Sequence, residues 1–228
     1  MHGTGDLFQP FIEALRGRFP TKTVAYPRAG PQTYEHLETL VVAALPKEGC
    51  VVVLGESFSG PIAVRLAAAH PHRVAGVVLC CTFLQNPRPH LGWLGPFLSL
   101  PLPVPPLFML NPFLLGRHAT HGLSQMLRQA LSHSSPGVLR ARLKAVLTVD
   151  VRAEALTITA PVLYLRATDD RLVTHAAAIE AGQTLADMAV QSFAAPHCLL
   201  QTIPEKAADA VAEFIQMVSG SKEHKARA

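Results

Sequence analysis

Three short stretches of the chain carry side chains that could do covalent chemistry together. Residues 51–61 read VVVLGESFSGP, a β-branched and aliphatic run followed by Ser57 between Gly55 and Ser59. Residues 168–173 read TDDRLV, and residues 194–201 read AAPHCLLQ. A serine hydroxyl is a weak nucleophile alone; it needs a base to take its proton and a third group to orient that base. Ser57, Asp170 and His197 supply all three, so the chemistry these residue types allow is acyl transfer through a serine. Each also has an ordinary structural role. Ser57 can cap a helix, Asp169 and Asp170 can form a turn, and His197 is one of 11 histidines. Asp169 stays beside Asp170 as the second choice for the acid.

The elements that position these residues can be read from the same stretches. Residues 51–54 read as a buried strand and residues 61–69 as a helix, with Pro61 in the first turn and Pro71 forcing the stop. Ser57 therefore lies where a strand hands over to a helix, at the strand's carboxyl end. Gly55 permits a sharp turn there, and the small Ser59 and Gly60 let helix and strand approach. Upstream, Asp6 is placed to cap a helix over residues 7–16, residues 21–26 read as a strand and residues 33–45 as a second helix. Further strands are predicted at residues 74–80, 161–166 and 189–193, the last two each followed by a helix. Strands separated by helix-length segments predict a parallel sheet covered on both faces.

Composition narrows the function classes. A chain of 228 residues with 49% hydrophobic content is one globular domain, and such a domain buries roughly 70–75% of its surface on folding. The net charge of +4 is thin, and part of it sits in the polar end SKEHKARA, which closes a tail over residues 219–228 read as frayed. No basic face with interleaved aromatics is present, so nucleic acid is excluded as a partner. Cys50, Cys80, Cys81 and Cys198 form no CxxC pair and have no histidine at ligand spacing, so neither a metal site nor a disulfide framework is expected. Cys80 and Cys81 read as core thiols. MHGTGD has no signal-peptide pattern, and a reducing cytoplasm is the expected location. Residues 91–116 carry no formal charge, yet Pro96, Pro101, Pro103, Pro105, Pro106 and Pro112 exclude a continuous membrane helix. That stretch reads as an apolar, irregular surface or lid.

Together these motifs resemble the α/β-hydrolase superfamily. The chain is similar to small bacterial hydrolases with GTGDLF near the start, GESFSGP at the serine turn, P-x-L-Y-L-R-A-T-x-D-R-L-V at the acid and P-H-x-L-L-Q at the histidine. The resemblance implies a mostly parallel sheet with helices on both faces. Its core would be formed by residues 1–82 and 160–218, with a lid insertion at 83–159. It implies hydrolysis of a carboxylic ester, thioester or similar acyl bond of a small molecule, with Ser57, Asp170 and His197 catalytic and with no metal or organic cofactor. Asp170 is preferred to Asp169 because it opens the D-x-x-V pattern of the family. The oxyanion hole would take the N–H of Phe58 and that of Met1, or of Thr4 if His2-Gly3 is the family's HG pair.

The chain also departs from the pattern. Ser59 stands where the family has glycine. The chain opens at a loop that in the family follows a central strand lying between those expected at 21–26 and 51–54. The expectation is a sheet short of that strand, with either a start further upstream or a shortened protein. A non-catalytic small-molecule binder on the same scaffold and a truncated hydrolase remain as alternatives, since a fold does not settle a reaction. The apolar lid points to a hydrophobic acyl group in the substrate, or equally to side chains that cover the core's edge. Residues 124–147 read as helical, with Arg128, Arg140, Arg142 and Lys144 on a solvated face.

Overall fold

The β-branched and aliphatic runs become four strands: β1 (Val51–Glu56), β2 (Val74–Cys80), β3 (Val162–Ala167) and β4 (Met188–Phe193). They pair in that order and all are parallel. A computed structural model of the chain describes residues 3, 5–99 and 107–227. Residues 100–106, with Pro101, Pro103, Pro105 and Pro106, lie outside the described residues. Parallel pairing requires crossovers. α3 (Gly60–Ala69) joins β1 to β2, residues 81–161 join β2 to β3, and α8 (His175–Thr184) joins β3 to β4.

The pleat sends alternate side chains to opposite layers. Val77, Leu79, Val162 and Tyr164 pack with α2 (Tyr34–Ala44), α3 and α8. Val78, Cys80, Leu163 and Leu165 face α1 (Gln9–Leu15), α9 (Leu199–Thr202) and α10 (Pro204–Arg227). This is the three-layer arrangement that the alternation predicted, and Cys80 and Cys81 are buried in it. The long crossover contains α4 (Leu107–Leu114), α5 (His121–Ser132), α6 (Pro136–Thr148) and α7 (Arg152–Ala155). No helix among the described residues is long and apolar enough to cross a membrane.

Several local expectations need correction. Residues 21–26 form no strand, because strand formation needs a neighbour and β1 is not beside them. An apolar cleft of about 750 Å³ separates the two, with Phe11, Leu15, Val24, Val52 and Leu54 among its walls. Asp6 does not cap a helix: it lies inside a 3-10 turn, Asp6–Phe8, whose cap is Gly5, and α1 starts only at Gln9. Residues 124–147 are two helices, since Ser135 caps α6 through the Val138 N–H and Pro136 opens it. Helical backbone continues to Arg227 where a frayed tail was expected, through residues that mostly favour helix and include no proline.

Candidate active site

The turn after β1 is built around two close approaches. A Cβ on Gly55 would lie 2.6 Å from the Ser59 carbonyl oxygen, and one on Gly60 would lie 2.0 Å from Thr82 Oγ1. Gly60 therefore sits where no side chain fits against Thr82. Ser59 is tolerated because its hydroxyl points to Tyr26, whose phenol donates to it at 3.0 Å. Ser57 itself sits at φ +52°, a conformation a non-glycine residue adopts only when its surroundings enforce it. Thr82, just beyond β2, helps to enforce it by donating its hydroxyl to the Ser57 carbonyl at 2.5 Å.

From this turn a line of hydrogen bonds runs across the carboxyl ends of the strands. Ser57 Oγ lies 2.8 Å from His197 Nε2, and His197 Nδ1 lies 2.7 Å from Asp170 Oδ2. The other carboxylate oxygen, Oδ1, accepts the Leu172 and Val173 N–H groups at 2.8 and 2.9 Å. An ionised carboxylate only accepts, so Nδ1 carries the proton and Nε2 is left with a lone pair toward the Ser57 hydroxyl. The histidine and aspartate side chains are only 6% and 3% exposed, which keeps water from competing for these bonds. Asp169 turns away. Its Oδ2 lies 2.8 Å from His118 Nε2 and 3.1 Å from Arg117 Nε, and the His118 bond, ahead of Arg117, holds its carboxyl below the usual range.

Those last contacts come from the crossover between β2 and β3, whose described residues touch the site's loops at three points. Arg117 and His118 hold Asp169. Arg88 donates to the carbonyls of Leu172, at 3.1 Å, and Arg171. Leu114 accepts the Cys198 N–H at 3.1 Å, next to His197. Around that point Leu7, Leu115, Leu127, Ala130 and Cys198 form a separate apolar cluster.

Phe58 follows the serine with its ring 1% exposed, stacked on Tyr34 and edge-on to Tyr26. Arg142, expected on a solvated face, is instead completely buried. Its guanidinium donates to Gln32 Oε1 at 2.8 Å and to the Pro27 carbonyl at 3.1 Å, and lies 5.6 Å from the Tyr26 ring centroid and 6.0 Å from that of Phe58. Sequence spacing gave no sign of this, because its hydrogen-bond partners Gln32 and Pro27 lie more than a hundred residues upstream. Met1 and Thr4, the candidate oxyanion donors besides Phe58, lie outside the described residues.

Sequence reasoning also passed over Glu56 and Gln201. Glu56 precedes the nucleophile candidate, and Gln201 stands four residues after His197 on α9. Gln201 Nε2 donates to Glu56 Oε2 at 3.1 Å, while Glu56 Oε1 and Gln201 Oε1 are both sealed from solvent with no hydrogen-bond partner. Burial pushes the Glu56 carboxyl up, partly offset by the Gln201 bond and the proximity of His197. Among the described residues no group of three His, Cys, Asp or Glu side chains is placed to hold a metal ion.

Comparison with known proteins agrees with this architecture. The model of the alpha/beta hydrolase family matches residues 1–214. The chain is 24% identical over 236 residues to a candidate carbamate hydrolase, RutD, of Caulobacter vibrioides, spanning 94% of this chain and 87% of that protein. Its structure is similar to the enol-lactonase from Burkholderia xenovorans LB400, with a TM-score of 0.72, 22% identity, and 96% and 88% of the two chains covered. It is also similar to a thermophilic esterase from Thermogutta terrifontis, with a TM-score of 0.75, 18% identity, and 93% and 85% covered. By fold and by a family match over nearly its whole length, the chain belongs to the alpha/beta hydrolase family.

Proposed function

We propose that the protein is a serine hydrolase that cleaves a carboxylic ester or similar acyl bond through an acyl-enzyme intermediate. The single observation that carries this reading is the unbroken Ser57–His197–Asp170 line, with both partner side chains shielded from water. His197 Nε2 takes the hydroxyl proton as Ser57 Oγ attacks the carbonyl carbon, and Asp170 stabilises the imidazolium that forms. The oxyanion is received by the Phe58 N–H at the start of the turn, with a second donor from the chain's first residues, Met1 by the motif alignment. Collapse breaks the bond to the leaving oxygen, which collects its proton from His197. Water, deprotonated by the same imidazole, then attacks the acyl-serine and returns the enzyme.

The 83–159 insertion acts as a lid in this reading, supported by its three contacts with the acid and histidine loops. The apolar cluster joining Leu115 and Leu127 to Cys198 supports a substrate with a hydrophobic acyl group. Thioesters share the carbonyl chemistry, and so do the lactone and carbamate classes in the relatives' names. The test is turnover of short-chain activated esters by wild type and Ser57→Ala. Loss of several orders of magnitude with an unchanged melt is the expected result. Retention of more than about a tenth of the rate would remove Ser57 as nucleophile, because tenfold is only ~1.4 kcal/mol of barrier.

A further inference from the structure

We propose that Glu56 is held as a neutral carboxylic acid in a cyclic acid–amide pair with Gln201, and that this pair is a positioning element joining the nucleophile turn to the histidine loop. The argument is one of hydrogen-bond accounting. A buried polar atom without a partner is destabilising, and here two acceptors on one bonded pair of side chains, Glu56 Oε1 and Gln201 Oε1, lack donors. The two side chains already share one bond, from Gln201 Nε2 to Glu56 Oε2. A single proton on Glu56 Oε1, donated to Gln201 Oε1, satisfies both orphans and closes a ring of two hydrogen bonds. Turning the amide over exchanges which carboxyl oxygen carries the proton, but one proton is still required. An ionised Glu56 offers acceptors only and leaves Gln201 Oε1 without a donor in either orientation.

The surroundings point the same way. Cys198 lies on the histidine loop, Cys80 at the end of β2 and Cys81 just beyond it, and all three are buried and close enough to Glu56 to feel its charge, which such surroundings stabilise poorly. Ionisation would be favoured by His197, which already has Asp170 bonded to Nδ1, and by the Leu200 N–H, but burial outweighs both. Burial raises the carboxyl's affinity for its proton, in agreement with the bond count.

Position gives the pair its consequence. Glu56 is covalently next to Ser57, and Gln201 lies one helical turn beyond His197. The ring therefore fixes the strand end carrying the hydroxyl against the helix that follows the imidazole, independently of the Ser57–His197 bond.

Two readouts test the pair without relying on the proposed hydrolysis. Infrared difference spectroscopy of wild type against Glu56→Gln at neutral pH should show a protonated-carboxyl C=O band that the variant lacks. Stability should also diverge with pH. A carboxyl that keeps its proton in the folded state loses relative stability once the unfolded chain ionises. The folding equilibrium of wild type relative to Glu56→Gln should therefore fall by up to about tenfold per pH unit above the ordinary carboxylate range, until Glu56 itself titrates. The third readout rests on the serine mechanism: Glu56→Ala and Gln201→Ala should lower kcat by about tenfold with little change in KM, and Glu56→Gln, which can rebuild a two-bond ring, should recover most of that loss. If the Ala variants fail to fold, the Gln comparison still decides. Loss of a carboxylate band in place of a protonated one, or a stability ratio flat with pH, would overturn the proposal.

Discussion

Asp170→Asn and Asp169→Asn change the same functional group at adjacent positions, yet the structure assigns them very different consequences. Asp170 has no idle oxygen: Oδ1 accepts two backbone N–H groups and Oδ2 faces His197 Nδ1. An asparagine must keep its carbonyl oxygen toward Leu172 and Val173, because its NH₂ would meet two donors there. The NH₂ is then left facing Nδ1, which becomes an acceptor, and the imidazole proton moves to Nε2. That tautomer cannot take a proton from Ser57. The expected loss in kcat is about 10⁴, or roughly 5 kcal/mol of barrier, with the fold retained because the two backbone bonds survive. The Asp169 carboxylate is bonded to His118 and Arg117 of the β2–β3 crossover, away from His197, and Asp169→Asn should cost less than about tenfold in rate. The assay is kcat and KM for an activated ester with a thermal melt of each variant. Equal losses, or a greater loss at Asp169, would refute the assignment and the tautomer argument together.

Arg142→Met should remove the donors to Gln32 and Pro27, costing about 2–5 kcal/mol and, for a domain of this size, lowering the melting temperature by about 5–15 °C; a surface arginine such as Arg128 serves as the control. Gly60→Ala should push Thr82 away from the Ser57 carbonyl, at a cost of about 1–3 kcal/mol, with a fall in kcat measured beside the melt. An added strand of about six apolar residues ahead of Met1 should occupy the cleft along β1 and raise the melting temperature by several degrees, each fully buried Val or Leu being worth about 1.5–3 kcal/mol. Equal melts with and without it would show that β1 does not accept a strand on the side of the cleft.

What could be read from the sequence was whatever is local. Val51–Glu56, Val74–Cys80, Val162–Ala167 and Met188–Phe193 announce themselves as β-branched or alternating runs ended by turn residues, and each was expected within two residues of its observed bounds. Each of Ser57, Asp170 and His197 has an ordinary structural role alone, and they stood out because each follows an expected strand and falls in a motif that resembles the family's. What could not be read depends on distant partners. Residues 21–26 carry a strand pattern but meet a cleft instead of a neighbour. Arg142 looks like Arg128 and Arg140 in the sequence, and only the fold delivers it to Gln32, Pro27 and the Phe58 ring. Glu56 and Gln201 lie 145 residues apart and meet because β1 and α9 converge at the site. The break between α5 and α6 is a different case: Ser135-Pro136 is a legible cap and first-turn signal inside a stretch whose helical periodicity was followed too far.

The central claim is that Ser57 is a nucleophile activated by His197. Its most direct test is intact-protein mass spectrometry with peptide mapping after treatment with a fluorophosphonate, which phosphonylates activated serines and ignores ordinary ones. The account predicts one adduct, on Ser57, formed by wild type, abolished in Ser57→Ala and strongly slowed in Asp170→Asn. A folded wild-type protein that takes no label, or takes it on another serine, would contradict it.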